Sequence, residues 1–465
     1  DGAAQTKTTF TGDGGPKIGN LFNRLIYALK FQSTDILLSD AINADSQILY
    51  DRDPLTRVQK VAPYLELDND PYPSIVDGKI VWIVDGYTLS ANYPYSSIVS
   101  LRDAISDTTN TTPRVALDDV NYIRNSVKAT VDAYSGEVTL YAWDDTDPLL
   151  QAWQKVYPST LKPVSEMSAD LMSHVRYPTA LFKVQRAMLG TYHVDDAASF
   201  YARDNAWKTP NDPVSQADVL QPPYYLSMKM PGQEAPTFSM FTSFIPAAEG
   251  DGARNVLMGY LAVDSDAGST AGQKAADYGK LRMLEISADV SVPGPGQVQN
   301  TFNSDQQISS QINLLKQGQS EVLNGNLLTL PVGGGLLYVQ PVFVQASSGT
   351  QLPALRKILV AFGDKVAFED TLQDALDALF GGDSGASTGD NNVTPTPNPS
   401  ESGDGSGETG GTGTDVQFQA ALKEAQAAMT ARDAALKAGD LTAFAAADAQ
   451  LTAAVQKLLA LSGGN

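Results

Sequence analysis

Apolar and polar positions recur along this 465-residue chain with two periods, and the places where the period changes mark its elements. Ile18, Leu21, Phe22, Leu25, Ile26 and Leu29 follow three- and four-residue spacing, which predicts an amphipathic helix over 18–31. Asp53-Pro54 reads as a cap followed by a helix with Leu55, Val58 and Val61 on one face. Residues 79–84 are too apolar on both faces for an edge strand and predict a central one, ended by a turn at Asp85-Gly86. Val127, Ala129, Val131 and Ala133, then Val138, Leu140 and Ala142, alternate with polar residues around Ser135-Gly136 and predict a hairpin. Asp147-Pro148 opens a helix that Pro158 stops. Residues 165–202 predict two or three short helices, broken before Pro178 and at Gly190, with Met167, Leu171 and Val175 on one stripe and Leu181, Val184, Met188 and Tyr192 on another.

From Pro222 the pattern becomes strand-like, with runs at 224–230, 237–245, 256–263 and 280–286. Residues 292–382 then form the closing part of a folded core. A helix capped at Ser304-Asp305 precedes strands at 327–332 and 336–344 around three glycines, and a hairpin at 356–368. Thr371 caps a last helix ended by Gly381. Residues 383–414 hold almost nothing apolar and predict a disordered Gly/Ser/Pro/acidic linker, because burial cannot offset their chain entropy. Residues 415–438 and 441–461, joined at Gly439-Asp440, predict a helical hairpin that docks on the body, on another copy or on a partner. The fold class is therefore α+β: mainly antiparallel sheet with packed helices over 1–382, a candidate subdomain boundary near 205–222, the linker, and an αα-hairpin over 415–465.

Composition removes whole classes of chemistry. The formal charge is −21, with ten acids and four bases (−6) beyond residue 382 and hence −15 before it. Nucleic acid is a poor partner for such a chain, and anionic lipid headgroups are disfavoured on the same grounds. With no cysteine, thiol nucleophiles, disulfides and Cys-ligated zinc are excluded. That composition suits export. No run of eighteen apolar residues exists to span a bilayer, no signal peptide opens the chain, and Asp1-Gly2-Ala3-Ala4 reads as the inside of a longer protein.

Several segments resemble one family closely: residues 120–134, Leu181-Phe182-Lys183-Val184-Gln185-Arg186, Gln221-Pro222-Pro223-Tyr224-Tyr225, Met230-Pro231-Gly232-Gln233, Val292-Pro293-Gly294-Pro295-Gly296-Gln297, Gly325-Asn326-Leu327-Leu328 and residues 336–342. They are similar to the uncharacterised family UPF0182, large multi-pass membrane proteins common in actinobacteria. The resemblance runs from about Thr11 to Gly382. It implies that this chain is the extracytoplasmic part of a cell-membrane protein whose N-terminal transmembrane bundle, its natural partner, is absent. It implies no reaction, so no functional residue is carried over.

Candidate chemistry is sparse. Asp144, Asp145 and Asp147 offer clustered hard oxygens for Ca²⁺, but the Gly and Glu of a calcium loop are missing, and the plain reading is a strand-to-helix loop capped by Asp147. His193, beside Asp195 and Asp196, and His174 are the two histidines; each reads more simply as a helix C-terminal residue than as a general base. Ser159-Thr160-Leu161-Lys162 matches S-x-x-K, but its flanking prolines oppose the helix that motif needs. Tyr87, Tyr93, Tyr95, Tyr201, Trp207, Tyr224 and Tyr225 are aromatics able to line a glycan or lipid groove, or simply to pack. No motif asks for a cofactor. The reading favours a binding, assembly or transport role with envelope lipid, glycan or protein. The alternative is an envelope hydrolase or transferase working through paired carboxylates, one with a raised pKa.

Overall fold

A computed structural model describes residues 15–385 apart from 216, 248–254, 288, 318–319 and 349–350, and scattered positions between 424 and 457. The chain divides into two compact units, Asp1–Asn391 and Asn392–Asn465. The first is α+β and its sheets are mainly antiparallel.

The first sheet is built on Lys79–Ser90 and Tyr122–Asp132, which pair along nearly their whole length. Glu66–Leu67 and Tyr72–Val76 join Lys79–Ser90 on its other side, and Val138–Ala142 completes the predicted hairpin. Leu161–Pro163 adds in parallel at the edge. Side chains alternate across this sheet as a strand requires. Val84, Val127, Ala129, Val131 and Leu140 meet Val58 and Leu150 of helices Pro54–Val61 and Pro148–Val156 on one face. Ile83, Tyr141 and Trp143 meet Met167, Leu171, Met172 and Val175 on the other.

The predicted turn at Asp85-Gly86 is not there, and the strand runs straight through it. Asp85 is buried against Lys128 of the neighbouring strand, and the side of Gly86 that lacks a Cβ is filled by Leu65 and Val127. The irregularity expressed in the sequence is instead a bulge: Gly86 pairs with Val127 but Tyr87 with Asn125, leaving Ser126 as the extra residue.

The second sheet runs Tyr224–Met228, Thr237–Pro246, Gly259–Asp264, Leu281–Glu285, with Trp207–Lys208 pairing the far end of the second of these strands. The third runs Ser320–Asn324, Gly335–Ala346, Ala354–Phe362, Lys365–Glu369, with Leu328–Val332 also on Gly335–Ala346. Val298, Phe302 and Ile308 of helices Pro295–Ser304 and Gln306–Leu315 cover one of its faces, and Ala375 and Leu379 of Leu372–Phe380 cover the other. Asp53, Asp147, Asp305 and Thr371 cap their helices as read, and Gly381 closes the last one at φ 76°. Pro295–Ser304 and Ser320–Asn324 are elements the pattern did not reveal.

Helix Thr179–Tyr192 joins the first two sheets. Phe182 packs with Met240, Phe244 and Leu261 of the second sheet, while Ala180 and Val184 pack with Tyr87, Leu101 and Ile105 beside the first. The expected break at Gly190 does not occur; the helix continues to Tyr192. Gly190 is there for clearance, since a Cβ would stand 2.5 Å from the Trp207 carbonyl oxygen. In the second unit, the described positions of the expected hairpin are helical, and Lys457 pairs with Glu424 at 2.6 Å. The rest of that hairpin, and the linker beyond residue 385, lie outside the described residues.

Gly190→Ala therefore separates two effects of opposite sign. Helix propensity alone predicts a gain of roughly 1 kcal/mol, whereas overpacking against Trp207 predicts a loss of about 1–3 kcal/mol. Urea unfolding of the variant is expected to show the loss.

Candidate functional site

Most of the residues considered at the outset are used structurally. Asp147 caps helix Pro148–Val156 through the Leu149 and Leu150 amides, 3.1 and 3.2 Å away. It also accepts hydrogen bonds from Thr88, Ser126 and Tyr122, each at 2.6 Å. Burial pushes its carboxyl up, but these donors outweigh burial and hold it below the usual carboxylate range. Asp144 accepts from Thr146 and pairs with Arg124, and the Asp145 backbone carbonyl accepts from Gln151. Among the described residues no three acids or histidines stand together so as to hold a metal ion.

His193 stacks on Trp207 with ring centroids 3.6 Å apart, and its Nδ1 donates to the Leu189 carbonyl at 2.8 Å. Asp196 turns away to cap helix Ala197–Ala202. His174 likewise donates from Nδ1 to the Asp170 carbonyl. Ser159 and Lys162 lie on a turn and an edge strand rather than on a helix. The aromatics are not gathered into one groove: Trp207 and Tyr87 are core, Tyr95 and Tyr201 project into solvent, and Tyr93 stacks on Tyr122. Tyr225 alone of these lines the cleft described next.

That cleft, about 480 Å³, opens where the first sheet, the start of helix Thr179–Tyr192 and the 222–225 segment meet. Its walls carry Asp68, Asp70, Asn110, Arg176, Lys183 and Tyr225. Arg176 is held rigidly. Its guanidinium lies 4.0 Å from the Tyr72 ring centre and 4.7 Å from that of Tyr225, and its Nη2 pairs with Asp70 at 2.7 Å. Thr179 adds its hydroxyl, within 3.2 Å of the Tyr225 hydroxyl and 3.3 Å of Asp70.

Beneath the cleft lies a layer of buried charge. Asp107 accepts from the Thr109 amide and hydroxyl, at 3.0 and 2.6 Å, which fixes its loop. Its other oxygen is 2.5 Å from Lys183 Nζ and 3.9 Å from Arg186 Nη2. Arg186 donates from Nη1 to the Gln221 carbonyl at 2.9 Å, tying the helix to the segment that enters the second sheet. Burial, partly offset by Asp107, brings the Arg186 guanidinium down to about 10. Lys128 pairs with Asp85 and donates to the Arg176 carbonyl at 3.0 Å.

Asp68 sits at the N-terminus of helix Thr179–Tyr192, where it accepts from the Ala180 amide at 3.1 Å and from Tyr87 at 2.6 Å. Burial pushes its carboxyl up and the Asp85 charge pushes it further, against those two donors. The cleft thus pairs a carboxyl inclined to hold its proton, Asp68, with a salt-bridged carboxylate, Asp70. The sequence does not bring these residues together, because 68 and 180, or 107 and 183, are far apart along the chain. The available signal was Lys183 and Arg186, two cations interleaved with Phe182, Val184, Met188 and Leu189 on one helix. A second, mostly apolar hollow of about 680 Å³ is lined by residues 230–233, 284–287 and 331–336.

An α+β chain with a polar cleft over paired buried charges defines an architecture without a reaction signature. Its kinship is clear. The model of the uncharacterised protein family UPF0182 matches residues 1–315, and the chain belongs to that family. It is 59% identical to a UPF0182 protein of Leifsonia xyli subsp. xyli, over 99% of this chain and 49% of that one. It is 58% identical to one from Clavibacter michiganensis subsp. michiganensis, with the same coverage. It is 49% identical to one from Tropheryma whipplei, over 99% of this chain and 48% of that one. The chain thus spans about half the length of these relatives. No solved structure matches it. No helix among the described residues is long and apolar enough to cross a membrane.

A raised folded-state pKa makes Asp68 a stabilising group while protonated. Its contribution is complete below the unfolded value of about 3.9 and is lost as pH rises through the folded value. Asp68→Asn is expected to lessen the fall in stability between pH 4 and pH 7, read from denaturant midpoints. An unchanged or steeper fall would contradict this assignment.

Proposed function

We propose that this chain is the extracytoplasmic part of a cell-envelope membrane protein and that it binds a polar envelope ligand, a glycan, in the cleft at Arg176. The observation that carries this reading is the fixed Arg176 cation, clamped between Tyr72 and Tyr225 and pinned by Asp70 at the mouth of a hollow of ligand size. Tyr225 holds Arg176 in place on one side and stacks on Phe238 on the other, while Asp70, Asn110 and Thr179 offer partners for hydroxyls. A preorganised cation costs little further ordering when ligand arrives. Family membership and the resemblance to multi-pass membrane proteins support the location.

One observation favours a second reading. Asp68, whose carboxyl is pushed up by burial and by the Asp85 charge, lines the same cleft as Asp70, which pairs with Arg176, and two carboxyls in one cleft are what glycoside hydrolysis uses. In that case the same ligand is cleaved.

Titrating the 465-residue chain calorimetrically with oligosaccharides released from cell walls tests both readings. Binding is expected in the wild type and is expected to weaken by roughly tenfold or more in Tyr225→Ala and Arg176→Ala. Cleavage products that vanish with Asp68→Asn favour the second reading, and absence of binding contradicts both. Location is read separately. Because this chain has no cysteine, Tyr201→Cys in the full-length protein adds one exposed thiol to this part, expected to raise labelling by a membrane-impermeant maleimide on intact cells above that of the unsubstituted full-length protein. Labelling only after lysis would place it inside.

A further inference from the structure

We propose that the apolar face of helix Leu21–Phe31 is a contact with the surface of an anionic lipid bilayer. This helix is docked with its sides reversed from the usual arrangement. The face toward the protein is polar and aromatic: Arg24 donates to the Ile42 carbonyl, Tyr27 and Phe31 pack on Tyr50 with ring centres 5.8 and 5.5 Å away, and Ala28 is buried. The face toward solvent is the apolar stripe. Leu21, Phe22, Leu25, Ile26 and Leu29 are 72, 70, 45, 44 and 71% exposed. At 3.6 residues per turn they fall within about 140° of arc, one continuous band. Folded chains rarely leave such a band facing water unless something covers it.

Charge selects the occupant. Residues 17–32 carry Lys17, Arg24 and Lys30 and no acid, within a chain of net charge −21. Whole-chain charge disfavours anionic headgroups on average, but this strip is a local exception. Arg24 is turned inward to the Ile42 carbonyl, but Lys17 and Lys30 are exposed, and leucine and phenylalanine on one side with lysines at the two ends is the composition of a helix lying in the headgroup boundary. A symmetric dimer that sets this strip against its own copy is a poorer match, since like charges would then meet. The short helix Thr34–Leu38 that follows adds exposed Leu38 and one acid, Asp35, which leaves residues 17–38 net positive. The contact involves no residue of the cleft, and vesicle binding by the isolated chain reads it out whichever side of the membrane the labelling finds.

The test is co-sedimentation of the 465-residue chain with vesicles of phosphatidylglycerol and phosphatidylcholine. The wild type is expected to bind, more tightly as the anionic fraction rises, and to keep part of that binding in high salt because the apolar share is not screened. Leu21→Ser with Leu29→Ser is expected to weaken partitioning on the order of a hundredfold with little shift of the thermal midpoint, since these are the two most exposed leucines of the stripe. Failure of the wild type to bind would overturn the proposal, as would binding that survives the double substitution. A lipid-independent dimer abolished by the same substitutions would also overturn it, by assigning the face to a second copy.

Discussion

The contact on which the rest of this structure depends is the one Asp107 makes with Lys183 and Arg186. All three side chains are buried. Such a cluster contributes little net stability over an apolar one of the same shape, yet losing one member leaves charge stranded in a poor medium, at a cost of about 3–5 kcal/mol. Its consequence is therefore positional. Asp107 fixes its own loop through Thr109, Lys183 draws that loop onto helix Thr179–Tyr192, and Arg186 reaches the Gln221 carbonyl beyond it. Three segments remote in sequence are set against one another by a single carboxylate and two cations.

The cleft follows from that arrangement. The helix brings Asp68 to its own N-terminus, where its carboxyl oxygen satisfies the Ala180 amide, which has no partner within the helix. The same register places Arg176 just ahead of the helix, where Tyr72 from the first sheet and Tyr225 from the second close on its two faces. Each sheet contributes one ring. Apolar packing supplies the framework, with Phe182 facing the second sheet and Val184 facing the first sheet's edge, but packing alone would not select the polar register that forms the hollow. Three of the segments that resemble the family, those holding Lys128, Lys183 with Arg186, and Tyr225, meet at this place.

Local chemistry was legible in the sequence. Caps at Asp53, Asp147 and Thr371, and hairpins around residues 135–136, 333–335 and 363–364, depend on neighbours a few positions away and were read correctly. What failed were places where a distant partner overrides local preference. Asp85-Gly86 looks like a turn until Lys128 supplies the charge that lets Asp85 lie in a strand. Gly190 looks like a helix stop until Trp207 requires the space. The stripe on Leu21–Phe31 was legible as a pattern, but its outward orientation was not, because Tyr50 and Ile42 decide it. Of the cleft only Tyr225 was legible, since the rest exists through pairs such as Asp68 with Ala180.

If the Asp107 cluster sets the junction, disturbing it should be felt on both sides. Native-state hydrogen exchange of Asp107→Asn against wild type measures this directly. Faster exchange is expected along helix Thr179–Tyr192 and in strands Tyr122–Asp132 and Thr237–Pro246 that flank it. A change confined to residues 105–112, with helix and strands exchanging as before, would contradict the account.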